Sequence, residues 1–253
     1  MRDFTLQTFK SLFLEFQRQG YVFITFADYC SSKIDRRFVI LRHDVDRNAE
    51  NALRVATIEK KLKIKASYYF RIVKKSYKES IIKKIAKMGH EIGYHYEDLA
   101  VAKGNAEKAI TSFENNLAKL RQLYPIKTIC MHGSPLSKWD NRLIWRKFNY
   151  RNFGIIGEPF FDVNFNEVLY LTDTGRCWNG NTVSVRDKVD SEFQYDFGTT
   201  FDILRVLESN ELPEGLMINT HPHRWNSRIF PWLKELLLQN AKNIVKRHLL
   251  VKR

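Results

Sequence analysis

Residues 41–48, LRHDVDRN, end an apolar run with a histidine and two carboxylates. Asp44 and Asp46 are two positions apart, so an extended backbone sends both side chains to the same side. Two ionised carboxylates that lie close together repel each other, and a bound cation or a shared proton relieves that repulsion. Carboxylates combined with neutral imidazoles suit Zn²⁺, Mn²⁺, Fe²⁺ or Co²⁺. Such a metal activates water and polarises a carbonyl group, while a second carboxylate acts as the base.

Most of the histidines also stand where predicted strands end. Of the seven, five lie at or near the C-terminal end of a predicted strand, namely His43, His95, His132, His221 and His223. Asp173 ends a further strand, whereas His90 opens its strand and His248 lies in the terminal helix. One buried histidine is more often a structural residue than a ligand, but five at equivalent ends beside paired carboxylates predict a shared catalytic or metal site. A GxSxG motif is absent from the sequence, which disfavours covalent catalysis by a serine.

Apolar strands alternate with amphipathic helices along the chain. The predicted strands are FVILRHD, KASYYFRI, HEIGYH, KTICMHG, NFGIIGE, EVLYLTD, NTVSVRD and GLMINTH, at 38–44, 65–72, 90–95, 127–133, 152–158, 167–173, 181–187 and 215–221. The helices predicted among them cover 48–62, 77–88, 105–123, 140–148 and 199–209. This alternation predicts a parallel sheet covered by helices. We expect one α/β barrel related to the TIM barrel, with about seven strands, whose C-terminal strand ends meet on the face that carries the site.

Length and composition indicate one ordinary globular domain over residues 1–253, with an N-terminal helix at about 4–19 and a C-terminal helix at about 230–250. The apolar fraction of 44% and the charged fraction of 28% exclude disordered and fibrous classes. Three scattered cysteines, no apolar leader and no long apolar run lead us to expect a reducing, cytoplasmic location. The sequence does not indicate an oligomeric state.

The net charge of +14 has two interpretations, an anionic partner or a solvated basic surface. No nucleic-acid-binding motif accompanies the charge, so we expect no nucleic acid partner. The terminal helix combines leucines with lysines and arginines. The favoured interpretation is that its leucines close the barrel. The alternative is peripheral contact with an anionic membrane, which would leave the leucines exposed.

At the predicted strand ends, five short motifs occur in order between about residues 36 and 225. They are RHDVD, GHEIGYHYEDL, MHGSP, TDTGRCW and INTHPH. In this order and spacing they resemble the motifs of polysaccharide deacetylases of the NodB-homology type, a group of carbohydrate esterases. The resemblance implies a distorted (β/α) barrel and a bound divalent metal, with zinc first and manganese, iron or cobalt as alternatives.

By matching position, the resemblance implies Asp44 as catalytic base, Asp46 and His95 as metal ligands, and His221 as general acid. The chain departs from the family in three places. Val45 separates the two aspartates, Leu99 stands where the second motif has another histidine, and the third motif lacks its arginine, with His132 in that region. We nominate Glu97 as the missing metal ligand, with His132 and His223 as reserves. The expected substrate-binding residues are His43, His132, Asp173, Trp178, His223 and Trp225, with either tryptophan as a wall for a sugar ring.

The resemblance therefore implies a metal-dependent hydrolase that removes an acetyl or formyl group from an amino sugar in surface-polysaccharide biosynthesis. The expected substrate is linked to a nucleotide or a lipid. One alternative is a catalytically degenerate barrel that binds a glycan or a partner without turnover, which the loss of histidine at Leu99 favours. A weaker alternative is a metal hydrolase of phosphoesters, which would be expected to carry an HxH motif at the first strand.

Overall fold

The structure, a computed structural model, describes residues 2–178, 184 and 186–249. The strands are β1 (Val22–Ile24), β2 (Phe38–Val45), β3 (Ser67–Phe70), β4 (Glu91–Tyr96), β5 (Ile129–Met131), β6 (Val168–Thr172) and β7 (Gly215–Thr220). They form one sheet in the order β5-β4-β3-β2-β7-β6, with β1 beside the first half of β2. Every pair is parallel. The predicted strand at 181–187 lies largely outside the described residues.

The helices are α1 (Leu6–Arg18), α2 (Phe26–Ser31), α3 (Ala49–Lys61), α4 (Glu79–Lys87), α5 (Asp98–Val101), α6 (Ala106–Arg121), α7 (Pro159–Asp162), α8 (Thr200–Glu208) and α9 (Ile229–Leu249). The predicted terminal helices agree with α1 and α9 to within two residues. Gly89, predicted to stop a helix, follows the C-cap of α4 with a φ of 93°, a conformation that favours glycine.

Two parts of the prediction need correction. Neither β1 nor α2 was predicted, because a three-residue strand and a six-residue helix are too short for a clear periodicity. The segment 152–158 is not a strand. It begins in a 3₁₀ turn, Tyr150–Phe153, and Gly154 at φ 70° breaks the extended run, so that only a single bridge remains at Gly157.

Side chains alternate between the two faces of the curled sheet. In β2, Val39, Leu41 and Val45 join the large core beneath the helices, whereas Ile40 belongs to a second cluster with residues of β3, β5 and β7. That second cluster, which includes Tyr69, Cys130 and Met217, lies on the concave face. Strands that are not neighbours can share such a cluster only if the sheet curls, so the predicted distorted (β/α) barrel is confirmed.

The same alternation sets up the site. The concave face of β2 ends in Arg42 and Asp44, that of β4 in His95, and that of β7 in Asn219. Parallel register keeps these strand ends near one another. Arg42 pairs with Asn219 of β7, and Asp44 pairs with Tyr69 of β3, which pairs in turn with Gly93, two residues before His95. The polar ends of the concave face therefore meet at one place.

The C-terminal helix differs from the favoured expectation. Leu233 and Leu237 are exposed, whereas Glu235 and Gln239 are buried. Leu233, Leu237 and Leu238 therefore do not close the barrel. In the described part of the chain, no helix is both long enough and apolar enough to cross a bilayer.

Candidate active site and metal centre

Asp44 is a buried carboxylate held by two donors. Its Oδ2 accepts hydrogen bonds from Arg42 Nη2 and from Asn219 Nδ2, both at 3.0 Å. Burial raises the pKa of Asp44, but Arg42 and the nearby histidines outweigh burial and leave the pKa below its ordinary value. Oδ1 has no hydrogen-bond partner among the described residues. Asp44 is thus an ionised carboxylate whose Oδ2 accepts hydrogen bonds and whose Oδ1 is available as an acceptor.

Asp46 lies between two imidazoles. Its Oδ1 is 3.4 Å from His95 Nε2 and 3.5 Å from His132 Nε2. His95 donates from Nδ1 to the carbonyl oxygen of Cys130 at 2.9 Å, and His132 donates from Nδ1 to Glu97 at 2.9 Å. In the neutral tautomer that keeps the proton on Nδ1, the lone pair of each ring is on Nε2, the atom nearest Asp46.

This arrangement fits a divalent metal. Burial raises the pKa of Asp46, but the close approach of His95 and the other neighbouring imidazoles bring it well below its ordinary value. Asp46 Oδ1 is buried without a hydrogen-bond partner among the described residues, although two imidazole nitrogens lie close to it. One carboxylate and two neutral imidazoles are a common donor set for Zn²⁺, and an outer hydrogen bond on each imidazole is typical of metal ligands.

Glu97, nominated as the third ligand, is occupied by other partners. Arg71 binds both of its carboxylate oxygens at 2.7 Å, and His132 donates to one of them. Burial raises the pKa of Glu97, but the hydrogen bond and charge of His132, together with Arg71, lower it to about 2. These contacts indicate that Glu97 orients His132. The residue that lies beside Asp46 is His132.

A second group of ligand atoms lies deeper in the barrel. Atoms of Asp44, His95 and Cys130 lie within 4.8 Å of one another. Burial raises the pKa of the Cys130 thiol well above its ordinary value, which disfavours the thiolate that a metal needs. Asp44 Oδ2 is already held by Arg42. We therefore favour Asp46, His95 and His132 as the ligand set.

His221 approaches the same carboxylates from β7. Its Nε2 is 3.9 Å from Asp46 Oδ2, and its Nδ1 donates to Asp173 Oδ1 at 2.7 Å. Asp173 also accepts from Arg224 Nη1 at 2.6 Å and from Trp225 Nε1 at 2.8 Å. Burial raises the pKa of Asp173, but Arg224 and His221 lower it far below its ordinary range. Asp173 therefore stays ionised and can stabilise a protonated His221.

The other predicted substrate-binding residues are placed differently. His43 is fully buried on the helix-facing side of β2, because an odd position in this strand points away from Asp44. Trp225 is 0% exposed and Trp178 is 5% exposed, so neither ring offers a wall to a sugar. Trp225 instead holds Asp173. His223 is buried for the most part, with Nε2 3.7 Å from Glu235, but it lines a groove that opens beside the site.

Sequence reasoning missed the arginines of the site. Arg42 lies two positions before Asp44 on the same face, and Arg224 follows His221 by one 3₁₀ turn. The period of two in β2 could have identified Arg42 as the partner of Asp44. Arg71 carries no such signal, since its contact with Glu97 joins two loops.

The cleft over these residues opens beside a larger groove. The cleft is lined by Asp44, Asp46, His95, His132, Arg186 and His221 among others. The groove, with a volume of about 860 Å³, shares Asp46, His132 and Arg224 with the cleft. A substrate held in the groove can therefore reach the carboxylates.

Comparison with known proteins gives structural neighbours only. No family model matches the chain. No curated protein matches its sequence. Among solved structures, the chain is similar to the Bc1960 peptidoglycan N-acetylglucosamine deacetylase, with 17% identity, coverage of 91% of this chain and 89% of that one, and a TM-score of 0.45. A family 4 carbohydrate esterase from Streptomyces lividans has 13% identity, coverage of 83% and 90%, and a TM-score of 0.43.

A further similar structure is BA3943 from Bacillus anthracis, described as a family 4 carbohydrate esterase pseudoenzyme. Its identity is 14%, its TM-score is 0.42, and the match covers 85% of this chain. The chain spans 63% of that structure, less than two thirds of its length. Structures of this kind thus include both deacetylases and a pseudoenzyme.

Proposed function

We propose that this protein is a metal-dependent hydrolase that removes an acetyl or formyl group from the nitrogen of an amino sugar, in the assembly of a surface polysaccharide. The observation that carries the proposal is the position of Asp46. Two imidazole nitrogens lie within 3.5 Å of its Oδ1, and a third, His221 Nε2, lies 3.9 Å from its Oδ2. With the second carboxylate, Asp44, beside these residues, one cleft combines candidate metal ligands, a base and an acid.

The metal would be held by Asp46, His95 and His132. When bound, it would polarise the acyl carbonyl and lower the pKa of an attacking water. Asp44 acts as the base, since it is ionised and its Oδ1 has no partner among the described residues. Arg42 and Asn219 fix Asp44 through Oδ2, which keeps Oδ1 oriented.

His221 protonates the departing amine. An amine leaves an amide only after its nitrogen gains a proton, so a donor is needed on the far side of the acyl carbon. Asp173 holds the Nδ1–H of His221 and leaves Nε2 for the transferred proton. Arg224 keeps Asp173 ionised, which favours the charged imidazole that must form before each transfer.

The proposal is tested by acyl release from defined substrates. Purified protein is stripped of metal, reloaded with Zn²⁺, Mn²⁺, Fe²⁺ or Co²⁺, and incubated with N-acetyl- and N-formyl-amino sugars linked to nucleotide or lipid diphosphates. Metal-dependent release of acetate or formate is expected. Binding of a glycan with no release under any metal would instead favour the catalytically degenerate barrel.

The role of His221 has a separate kinetic test. His221→Ala should lose less rate on substrates with a good leaving group, because such groups depart without a proton. A series of N-acetyl anilides of increasing leaving ability measures this dependence. Equal losses across the series would exclude His221 as the acid.

A further inference from the structure

The C-terminal helix α9 buries polar side chains and exposes apolar ones. Glu235 and Gln239 are buried, and Glu235 accepts two hydrogen bonds from Arg47 at 2.9 and 3.0 Å. Asn243 donates to the carbonyl oxygen of Gly175 at 2.8 Å. These polar contacts fix the rotation of α9 about its axis. The rotation seen is the opposite of that of a helix held by its apolar stripe.

The outward side of α9 carries an apolar stripe. Phe230, Leu233 and Leu237 are three and four positions apart, and Ile244 follows seven positions later with Val245 beside it, so these exposed residues lie on one side of the helix. Leu237 is 61% exposed. Contiguous exposed apolar surface of this kind marks an interaction site.

The groove beside the cleft runs along this stripe. Leu238 and Val245 of α9 form one wall, and Leu136, which is 93% exposed, lies on the other. The cations along the groove are Arg47, Arg71, Lys74, Lys75, Arg224 and Lys242. The three arginines are paired with Glu235, Glu97 and Asp173. In the described part of the chain, the three lysines form no ion pair.

We propose that α9 lies on an anionic membrane surface and that the groove receives the phosphate or diphosphate of a lipid-linked amino sugar. This names the substrate class of the hydrolase and rests on the proposed function. Unpaired lysines beside an exposed apolar stripe match an anionic headgroup region above acyl chains, to which basic residues are attracted. The floor of the groove contains Asp46 and His132, so a sugar on a membrane-anchored diphosphate would reach the carboxylates.

Vesicle sedimentation tests the membrane contact without any need for activity. Wild-type protein should sediment with phosphatidylcholine vesicles that contain phosphatidylglycerol at low salt, and high salt or pure phosphatidylcholine should release it. Leu233→Glu should lower the partition coefficient by about tenfold or more, since it removes one leucine that would be buried in the membrane and adds a negative charge.

A matched control is available in α1. Leu14 is 43% exposed and Leu233 is 42% exposed, so Leu14→Glu makes the same change on another helix. It should sediment like the wild type. The proposal is overturned if the wild type stays in solution at low salt, or if Leu233→Glu sediments normally. A second contrary outcome is a wild type that does not bind vesicles and forms an oligomer, which Leu233→Glu dissociates in light scattering. The stripe would then join two copies of the chain.

The phosphate part of the proposal needs a kinetic comparison. The probes are UDP-N-acetylglucosamine and a prenyl-diphosphate N-acetylglucosamine in vesicles. Lys74→Glu with Lys75→Glu should raise KM for both probes, whereas Lys83→Glu with Lys84→Glu, a pair of exposed lysines in α4, should not. Leu233→Glu should raise KM for the prenyl probe alone.

Unchanged KM in the Lys74 and Lys75 variant would refute the phosphate site. If the wild type hydrolyses no substrate of the panel that tests the proposed function, the proposed hydrolase fails, while sedimentation still decides the membrane contact.

Discussion

His43 and Asp44 are neighbours in β2, yet they belong to two clusters of similar residue types with opposite surroundings. On the helix side, His43 Nε2 donates to Glu59 at 2.6 Å, Tyr68 donates to Glu59 at 2.5 Å, and His43 Nδ1 lies 2.7 Å from the hydroxyl of Thr220. All four residues are fully buried. We call these four residues the closed cluster.

Asp44, Asp46, His95, His132 and His221 form the open cluster on the concave side. There, one oxygen of Asp44 and one of Asp46 have no hydrogen-bond partner among the described residues, and the cleft connects with a groove. Histidine beside a carboxylate is therefore not by itself a sign of chemistry. What separates the two clusters is whether the hydrogen bonds are complete and whether a substrate can enter. Variants of the open cluster should lose function and keep stability, and variants of the closed cluster should do the reverse.

The largest effect is expected from Asp46→Ala. Removing the carboxylate between two imidazoles should abolish metal binding and turnover. At alkaline pH, where the imidazoles are neutral, it should change the free energy of unfolding of the metal-free protein little, because Asp46 Oδ1 makes no hydrogen bond that would be lost. Metal content by mass spectrometry, acyl release and urea unfolding measure the three quantities. Asp35→Ala, at an exposed position, is the control, and full metal occupancy in Asp46→Ala would refute the ligand assignment.

Asp44→Asn should be nearly as severe for turnover but not for metal binding. Asparagine keeps an acceptor for Arg42 and Asn219 while it removes the base, so the rate should fall by about 10²–10⁴. Metal stoichiometry should stay at the wild-type value. Activity close to wild type would show that another group takes the proton from water.

A smaller effect is expected from Glu97→Gln. If Glu97 orients His132, glutamine can still accept from Nδ1, and metal affinity should fall by about 10- to 100-fold. If Glu97 is itself a ligand, as the sequence led us to nominate, its replacement should instead resemble Asp46→Ala. His132→Ala separates the two cases, since it should lose metal only under the first. Metal titration of the three variants provides the comparison.

Much of this arrangement is visible in the sequence, and what is missing has physical reasons. Apolar strands that end in polar residues predicted the barrel. They also predicted that Asp44, Asp46, His95 and His221 lie on one face. The period of two would also have sent His43 to the other face, had it been applied to each strand end. The relation of Glu97 to Arg71 and the rotation of α9 depend on contacts between distant segments, which no local pattern encodes.

The smallest effect on activity, and a clear one on stability, is expected from Glu59→Gln in the closed cluster. Glutamine can accept from either His43 or Tyr68 but not from both, so one buried donor loses its partner at a cost of about 1–3 kcal/mol.

Burial raises the pKa of Glu59, but His43 and its hydrogen bond lower it below the ordinary value of 4.5. A carboxyl whose pKa is lowered on folding stabilises the protein above 4.5, and that stabilisation is lost as the pH falls toward the folded value. Urea unfolding should thus show a weaker acid-induced loss of stability in Glu59→Gln, while folded protein keeps wild-type turnover and metal content. Glu114→Gln, at an exposed position of α6, should change neither. Loss of turnover in well-folded Glu59→Gln would mean that the closed cluster takes part in the chemistry, and the distinction between the two sides of β2 would fail.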